Sequence, residues 1–277
     1  MAGRLPTYRE VTGPDQSGIG QQVADQHARV AARLAEVRYL VAVASGKGGV
    51  GKSFVAAGLA TAAVRGGWRV GLLDADINGP TAPRLAGASR PVPRVAQGSI
   101  EPAVTSAGVR LFSPEFLVAP GEPVRWREPE GDGFVWRGTL EAGLLREMLA
   151  DVAWGPLDLL VVDLPPGPAR LADLRGLAPG LAGVVAVTIP TAESYDAVRR
   201  AILLAQDRAI PLLGLVENMV AHVCPHCGQT RPAFAGDAGA RLAATFAIPC
   251  LARLPFDPPT AAFDALADAV RRAVDTA

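Results

Sequence analysis

Cysteine is scarce in this chain of 277 residues: it has three, and two of them belong to one Cys-x-x-Cys pair. So few cysteines exclude a disulfide framework, and the pair favours metal or redox chemistry in a reducing compartment. A net charge is also missing, since 27 basic and 27 acidic side chains balance. The composition therefore gives no sign of a nucleic-acid partner.

Long apolar runs are absent as well. No stretch of 18 or more uncharged apolar residues occurs, and the strongest runs have the length of strands. The polar segment 1–20 lacks the apolar core of a secretion signal. We therefore expect a soluble cytoplasmic protein without a membrane partner, and the 49% of hydrophobic residues is ample for the core of one large domain.

A glycine-rich run is the most informative feature that is present. It follows the apolar stretch 40–44 and precedes an alanine-rich helical segment. This order of strand, loop and helix is typical of a phosphate-binding loop, in which backbone N–H groups surround the phosphates of a nucleotide. The residues that we assign to nucleotide binding here are Gly46, Lys47, Gly48, Gly49, Val50, Gly51, Lys52, Ser53 and Phe54.

Two lysines of this loop have different expected roles. Lys52 should contact the β- and γ-phosphates, and Ser53 should bind Mg²⁺. Lys47 occupies a position that the generic loop leaves free. The loop thereby resembles that of the MinD, ParA and nitrogenase-iron-protein ATPases, which implies that Lys47 reaches across a dimer interface to the other subunit's nucleotide. A positive charge there would stabilise phosphoryl transfer, so both lysines are candidate catalytic residues.

Apolar runs of strand length alternate with helical patterns along the chain. We predict strands at 69–73, 109–112, 157–162, 183–189, 212–216 and 249–254, and helices at 55–65, 140–150, 194–207, 238–246 and 261–274. This alternation indicates a doubly wound α/β fold with a mainly parallel sheet and helices on both faces. The predicted divisions are a partly disordered N-terminal extension at 1–37 with a leading helix over 21–37, a P-loop ATPase domain at 38–277, a Cys-x-x-Cys insertion at 222–228, and insertions at 80–108 and 113–137 that include short hairpin strands.

Aspartates follow two of the predicted strands. Asp74 and Asp76 end one strand, and Asp163 ends another. Ligands gather at the carboxyl ends of parallel strands, and a carboxylate there is costly to desolvate unless a magnesium-bound phosphate compensates it. We assign Asp163 to Mg²⁺. Asp76 is a catalytic candidate that orients the attacking water and a second magnesium candidate, while Asp74 is either a more distant metal contact or a helix cap.

The Cys-x-x-Cys pair consists of Cys224 and Cys227, and its two thiolates suit zinc or an iron–sulfur cluster. Two ligands are half a site. Either His222 or His226 completes a zinc site, or two chains each contribute one pair to a shared site on a two-fold axis. Cys250 lies in an apolar stretch, and we predict an inert, buried thiol in a core strand.

The ordered set of motifs resembles the Mrp/ApbC-type iron–sulfur cluster carrier ATPases. The motifs are KGGVGKS, DADINGP, DLPPG and ENM followed by CPHCG, and the likeness covers about residues 38–260. The resemblance implies a homodimer that binds ATP and holds a 4Fe-4S cluster between two Cys224/Cys227 pairs for delivery to apo-proteins. It also implies that Asn218 contacts adenine and that Pro255, Phe256 and Asp257 lie beside the base and ribose.

The chain departs from this family after the DLPPG motif, where Pro168-Ala169-Arg170 replaces the usual Thr-Gly-Asp. Because proline removes a donor and stiffens the backbone near the γ-phosphate, we expect slow ATP hydrolysis. Two other functions stay open: a zinc-stabilised ATP-binding regulator with little hydrolysis, and a positioning ATPase of the MinD or ParA sort. The second would need a basic, membrane-binding terminal helix, whereas the last segment carries Asp264, Asp268 and Asp275.

Overall fold

The computed structural model describes residues 19–88, 94–96, 98–119, 122 and 133–276, with the backbone alone for 19–20 and 133–139. The segment 1–18, most of the predicted disordered extension, lies outside the described residues. So does much of the predicted insertion 113–137.

Eight strands of the described chain form one central sheet, and two further pairs of strands form small hairpins. In chain order the strands are β1 (Val37–Ser45), β2 (Val70–Asp74), β3 (Arg94–Ala96), β4 (Ser99–Glu101), β5 (Ala103–Val104), β6 (Arg110–Phe112), β7 (Leu157–Asp163), β8 (Leu181–Thr188), β9 (Leu212–Glu217), β10 (Ala221–Val223), β11 (Thr230–Pro232) and β12 (Cys250–Arg253).

Helices fill the connections between the strands. They are α1 (Ile19–Leu34), α2 (Lys52–Arg65), α3 (Ala82–Leu85), α4 (Gly133–Asp151), α5 (Ala169–Leu177), α6 (Ala192–Asp207), α7 (Ala238–Phe246) and α8 (Thr260–Thr276), with a short 3-10 helix at Pro114–Leu117. Each predicted strand and helix is present in the predicted order, and the doubly wound α/β fold is confirmed. Helix α5 was not predicted.

The central sheet has the order β12-β9-β8-β1-β7-β2-β6-β5. Every neighbouring pair is parallel except β5 with β6 at the edge. Strands β7, β2, β6 and β5 lie on one side of β1, and the later strands β8, β9 and β12 lie on the other side. The strand order therefore switches at β1. Ligands of open α/β sheets bind at such a switch point, beyond the carboxyl ends of the strands, and the glycine-rich loop begins where β1 ends.

The core explains why the strands are continuous apolar runs. Residues 40–45 of β1 are all buried, and so is the whole of β2, because helices cover both faces of the sheet. Helix α2 is rich in alanine and has eight buried residues, so it packs closely against the sheet and α8. The glycine-rich loop therefore starts and ends on rigid elements.

Three predictions about elements need correction. The leading helix ends at Leu34 rather than at residue 37, because Val37 already pairs with Leu157 in the sheet. Helix α4 begins at Gly133, inside the segment 113–137 that was predicted as an insertion. Cys250 is exposed on β12, the last strand of the sheet, and is not a buried core thiol. A neighbour on one side only leaves an edge strand partly open to solvent.

Candidate nucleotide and metal sites

Two glycines of the glycine-rich loop have no room for a side chain. Gly51 has a φ of 80°, in the left-handed region, and a Cβ there would lie 2.2 Å from Nδ2 of Asn218. A Cβ on Gly46 would lie 2.1 Å from the backbone carbonyl carbon of Ala197 in α6. The loop thus folds tightly between α6 and the segment after β9. Its N–H groups, followed by the N-terminus of α2, form the kind of cradle that binds phosphate.

Lys52 and Asp163 form a buried ion pair at the start of α2. The ammonium donates to Oδ1 of the carboxylate, and the two side chains are 7% and 0% exposed. Oδ2 of Asp163 is buried and accepts no hydrogen bond from the described residues. Burial raises the pKa of Asp163, and the positive charge of Lys52 opposes that rise. A buried carboxylate oxygen with a free lone pair fits a site for Mg²⁺.

Ser53 and Phe54 follow Lys52 at the start of α2. Nζ of Lys52 lies 3.3 Å from the hydroxyl of Ser53, so the magnesium candidates Ser53 and Asp163 share one cationic neighbour. The ring of Phe54 packs edge-on against Phe263 at 5.4 Å between ring centroids. Its side chain therefore belongs to the contact between α2 and α8, which leaves its backbone as the part available to a nucleotide.

The side chain of Asp74 caps the N-terminus of α3, although Asp74 itself lies in β2. Its carboxylate accepts hydrogen bonds from the backbone N–H groups of Thr81 and Ala82, both at 3.1 Å, and from the hydroxyl of Ser113 at 3.2 Å. This agrees with the helix-cap interpretation of the sequence. Burial, and then the negative charge of Asp163, raise the pKa of Asp74 to about 7.

Asp76 lies just beyond this cap, partly exposed in the loop after β2. Its Oδ1 accepts a hydrogen bond from the N–H of Gly79 at 3.2 Å, and its own N–H donates to Asp74 at 3.1 Å. The charge of Asp76 also contributes to the raised pKa of Asp163. Asp76 and Asp163, the two carboxylates that we assign to magnesium, are therefore close enough to interact electrostatically, although they follow different strands.

Asn218 is buried behind the glycine-rich loop. Its Nδ2 donates to the carbonyl of Val50 at 3.0 Å, while Oδ1 is buried without a hydrogen-bond partner among the described residues. An unused acceptor beside the phosphate-binding loop suits a base that carries an amino group, as adenine does. Pro255 and Asp257 follow β12, which neighbours β9, so they lie at the same end of the sheet as Asn218.

The cysteine pair lies at the tip of the hairpin formed by β10 and β11. The N–H of Cys224 donates to Gln229 and its carbonyl accepts from Gly228, both at 2.9 Å, which closes a tight turn around the pair. N–H groups of Cys227 and His226 face the sulfur of Cys224, and these hydrogen bonds lower the pKa of that thiol. A thiol that deprotonates easily is a better metal ligand.

The described residues around this hairpin offer no third metal ligand. Where the chain is described, no group of three or more histidine, cysteine or acidic side chains is placed to hold a metal ion. His222 and His226 are both exposed, and neither completes a site with the two thiols. Among the described residues, the donor set at the hairpin is therefore two thiols, which fits half of a shared four-thiolate site.

Two carboxylates near these sites have structural partners that the motifs did not reveal. Glu217, at the end of β9, is buried and accepts from the N–H of Gly239 at 2.8 Å and from Arg253 at 2.9 Å. Glu141 of α4 contacts both Asn78 and Arg170. No motif contains Glu141, and the only signal in the sequence was the unusual arginine at position 170.

Comparisons with known proteins agree with this geometry. The family model described as ParA: NUBPL iron-transfer P-loop NTPase matches residues 36–276. An iron-sulfur cluster carrier protein of Saccharolobus solfataricus is 35% identical over 246 residues, which cover 88% of this chain and 80% of that protein. The human cytosolic Fe-S cluster assembly factor NUBP2 is 36% identical over 230 residues, covering 81% of this chain and 82% of that factor.

A solved structure shares the fold and the sequence. The nucleotide-binding protein of Archaeoglobus fulgidus, in complex with ADP, has a TM-score of 0.68 and 32% identity, and the match covers 89% of this chain and 93% of that one. The glycine-rich loop at the switch point, the lysine and aspartate at its base, and the match over residues 36–276 all lead to one conclusion. This chain belongs to the NUBPL iron-transfer P-loop NTPases of the ParA type.

Proposed function

We propose that this chain is an ATP-hydrolysing carrier that holds a 4Fe-4S cluster at a homodimer interface and delivers it to apo iron–sulfur proteins. The observation that carries the proposal is the pair of Cys224 and Cys227 at a hairpin tip, with no third ligand in the part of the chain that is described. Four-iron clusters are held by four thiolates. Two copies of the chain supply that number.

The nucleotide part of the proposal uses the residues around the glycine-rich loop. The loop backbone would bind the phosphates, Oδ1 of Asn218 would accept from adenine, and Ser53, Asp76 and Asp163 would hold Mg²⁺. Mg²⁺ supplies neutralisation of the phosphate charge. Lys52 is already buried beside Asp163, so its ammonium is held close to where the phosphates would lie.

Lys47 gives the dimer a role in hydrolysis. It is partly exposed in the glycine-rich loop, and no ion pair joins it to another described residue. We assign it to the nucleotide of the partner subunit, where its charge would stabilise the transition state. ATP binding would then favour the dimer, and the dimer would bring the two cysteine pairs together.

The relatives also bear on the cellular compartment of this protein and on the two alternative functions. The name of human NUBP2 includes the word cytosolic, and we propose the cytoplasm for this chain as well. None of the described helices is long and apolar enough to cross a membrane. The match to iron-transfer NTPases favours the carrier over a positioning ATPase, and a zinc-binding regulator is separated from the carrier by experiment.

Cluster transfer tests the proposal. The anaerobically reconstituted full-length chain is mixed with an apo-ferredoxin, with ATP and Mg²⁺ or without nucleotide, and the ferredoxin spectrum is followed. We expect the ferredoxin to gain a cluster, and its rate of gain to depend on nucleotide. One tightly bound zinc per chain, with no transferable iron, would support the zinc-binding regulator and contradict the carrier.

A further inference from the structure

Glu141 connects the loop after β2 to the start of α5, two segments that are distant in the sequence. Its Oε1 accepts a hydrogen bond from Nδ2 of Asn78 at 3.0 Å, and its Oε2 accepts one from Nη2 of Arg170 at 2.8 Å. Asn78 lies in the loop after β2, and Arg170 lies in the first turn of α5. One carboxylate on α4 thus joins both loops, with one oxygen for each.

The Glu141–Arg170 part of this connection is partly shielded from water, whereas Asn78 is exposed. The side chains of Glu141 and Arg170 are 15% and 16% exposed. A gap of about 10 Å³ beside them is also lined by Ala75, Ile77 and Pro165, which is room for roughly one water molecule. Charges in such surroundings interact more strongly than on an open surface, and losing one partner leaves the other without compensation.

The two connected loops bear the carboxylates of the proposed ATP site. Asn78 follows Asp76 by two residues, and Arg170 follows the segment that starts at Asp163. The strands before them, β2 and β7, are neighbours, and Asp74 and Asp163 are paired residues at their ends. A shift of either loop relative to the other would therefore stretch or break a hydrogen bond to Glu141.

Arg170 is oriented by a second carboxylate. Its Nη1 donates to Asp173 of the same helix at 2.6 Å, so its guanidinium bridges α5 to Glu141. The guanidinium of Arg170 therefore carries two ion pairs, one within α5 and one to α4.

We propose that Glu141 is a positioning residue that couples the loop after β2 to the start of α5, so that ATP hydrolysis requires both loops in place. The inference rests on the proposed function for its catalytic consequence alone. The coupling itself exists in the nucleotide-free chain. The hydrogen bonds described for Glu141 go to Asn78 and Arg170 and not to the glycine-rich loop, so the coupling should affect turnover more than binding.

Hydrogen exchange of the full-length, nucleotide-free protein tests the coupling directly. In Arg170→Gln, we expect the amides of residues 76–79 and 81 to exchange about 3-fold or more faster, although Arg170 makes no contact with that segment among the hydrogen bonds described. The control is Asp173→Asn, which removes the other partner of Arg170 and should leave 76–81 unchanged. Unchanged exchange in Arg170→Gln would overturn the inference without affecting the proposed function.

Kinetics of single and double variants test the catalytic consequence. We expect Glu141→Gln to lower kcat by roughly 10-fold while KM changes less than about 3-fold. The double variant Glu141→Gln with Arg170→Gln should be about as slow as the slower single variant, because both substitutions remove the same ion pair. A double variant whose loss of kcat equals the product of the two single losses would overturn the inference. Wild-type protein without ATP hydrolysis would instead contradict the proposed function.

Discussion

Lys52 donates a hydrogen bond to Asp163 across the base of the glycine-rich loop, and both side chains are buried. This ion pair joins the start of α2 to the end of β7 and so fixes the loop to the sheet. It also leaves one oxygen of Asp163 unused. The pair therefore has two roles. It stabilises the nucleotide-free fold, and it holds both side chains where Mg²⁺ and phosphate would bind.

Replacing Lys52 should damage both roles. In Lys52→Met the carboxylate of Asp163 stays buried without its partner, and we expect the free energy of unfolding to fall by about 3–5 kcal/mol. Binding of ATP should be lost in the same variant, because the lysine contacts the phosphates. Denaturant unfolding and titration with a fluorescent ATP analogue measure the two effects.

A surface pair provides the control for that experiment. Arg65 and Asp264 are joined at 2.6 Å, but the side chains are 40% and 47% exposed. Arg65→Met should cost less than about 1 kcal/mol and leave ATP binding unchanged, since exposed ion pairs contribute little. Equal destabilisation of the two variants would contradict the role given to the buried pair.

Asp74 should make the stability of the nucleotide-free protein depend on pH. Its pKa is raised to about 7 in the folded state by burial and by Asp163. Between its ordinary pKa and pH 7 the folded chain therefore holds a proton that the unfolded chain releases, so stability is lost as the pH rises through this window, by up to about 1.4 kcal/mol per pH unit.

The variant Asp74→Asn tests this effect, because it removes the titrating group. Denaturant unfolding of both proteins from pH 5 to pH 8 gives two curves, and the stability of wild type relative to the variant should fall toward high pH. Asp163 has a raised pKa as well and its charge is coupled to that of Asp74, so the difference between the curves includes the loss of this coupling. A difference that does not vary with pH would show that Asp74 has the same charge in the folded and unfolded chains.

Asn218 should determine which base is preferred. Its buried Oδ1 can accept from the 6-amino group of ATP but would repel the 6-oxo group of ITP. We expect wild type to bind ATP roughly 10-fold or more tightly than ITP, and Asn218→Ala to bind both about equally. Competition against a fluorescent nucleotide measures the ratio. A ratio that the substitution leaves unaltered would remove Asn218 from the base site.

Lys47 should act on the nucleotide of the partner subunit. We expect Lys47→Ala to bind ATP with nearly unchanged affinity and to hydrolyse it roughly 10²-fold more slowly. Mixing this variant with Lys52→Ala provides the sharper test. Mixed dimers contain one site with an intact Lys52 that faces an intact Lys47, so the mixture should hydrolyse ATP faster than either variant alone. No gain on mixing would mean that Lys47 acts within its own chain.

Cys224 and Cys227 should be required for iron, while Cys250 should not. After anaerobic reconstitution we expect Cys224→Ala and Cys227→Ala to lose nearly all bound iron, because a thiolate is missing from each half of the shared site. Cys250→Ala is the matched control, since that thiol is also exposed but lies on β12. Iron loading that survives both substitutions at the hairpin would contradict the assignment.

The sequence predicted the parts of the molecule that depend on local patterns. Lys52 and Asp163 could be predicted because one lies in a dense motif and the other follows an apolar strand. The bridge at Glu141 could not, because its partners are 63 and 29 residues away and only the fold brings them together. Cys250 was predicted wrongly, because an apolar stretch does not reveal whether its strand lies inside the sheet or at its edge.

The association state of the reconstituted protein tests whether two chains share one cluster. Light scattering and iron analysis are performed on one sample of the full-length chain, kept free of oxygen and supplied with iron, sulfide, ATP and Mg²⁺. We expect a particle of twice the mass of one chain with about two irons per chain, as a shared four-iron cluster requires. A particle with the mass of a single chain that holds its own metal would contradict this expectation.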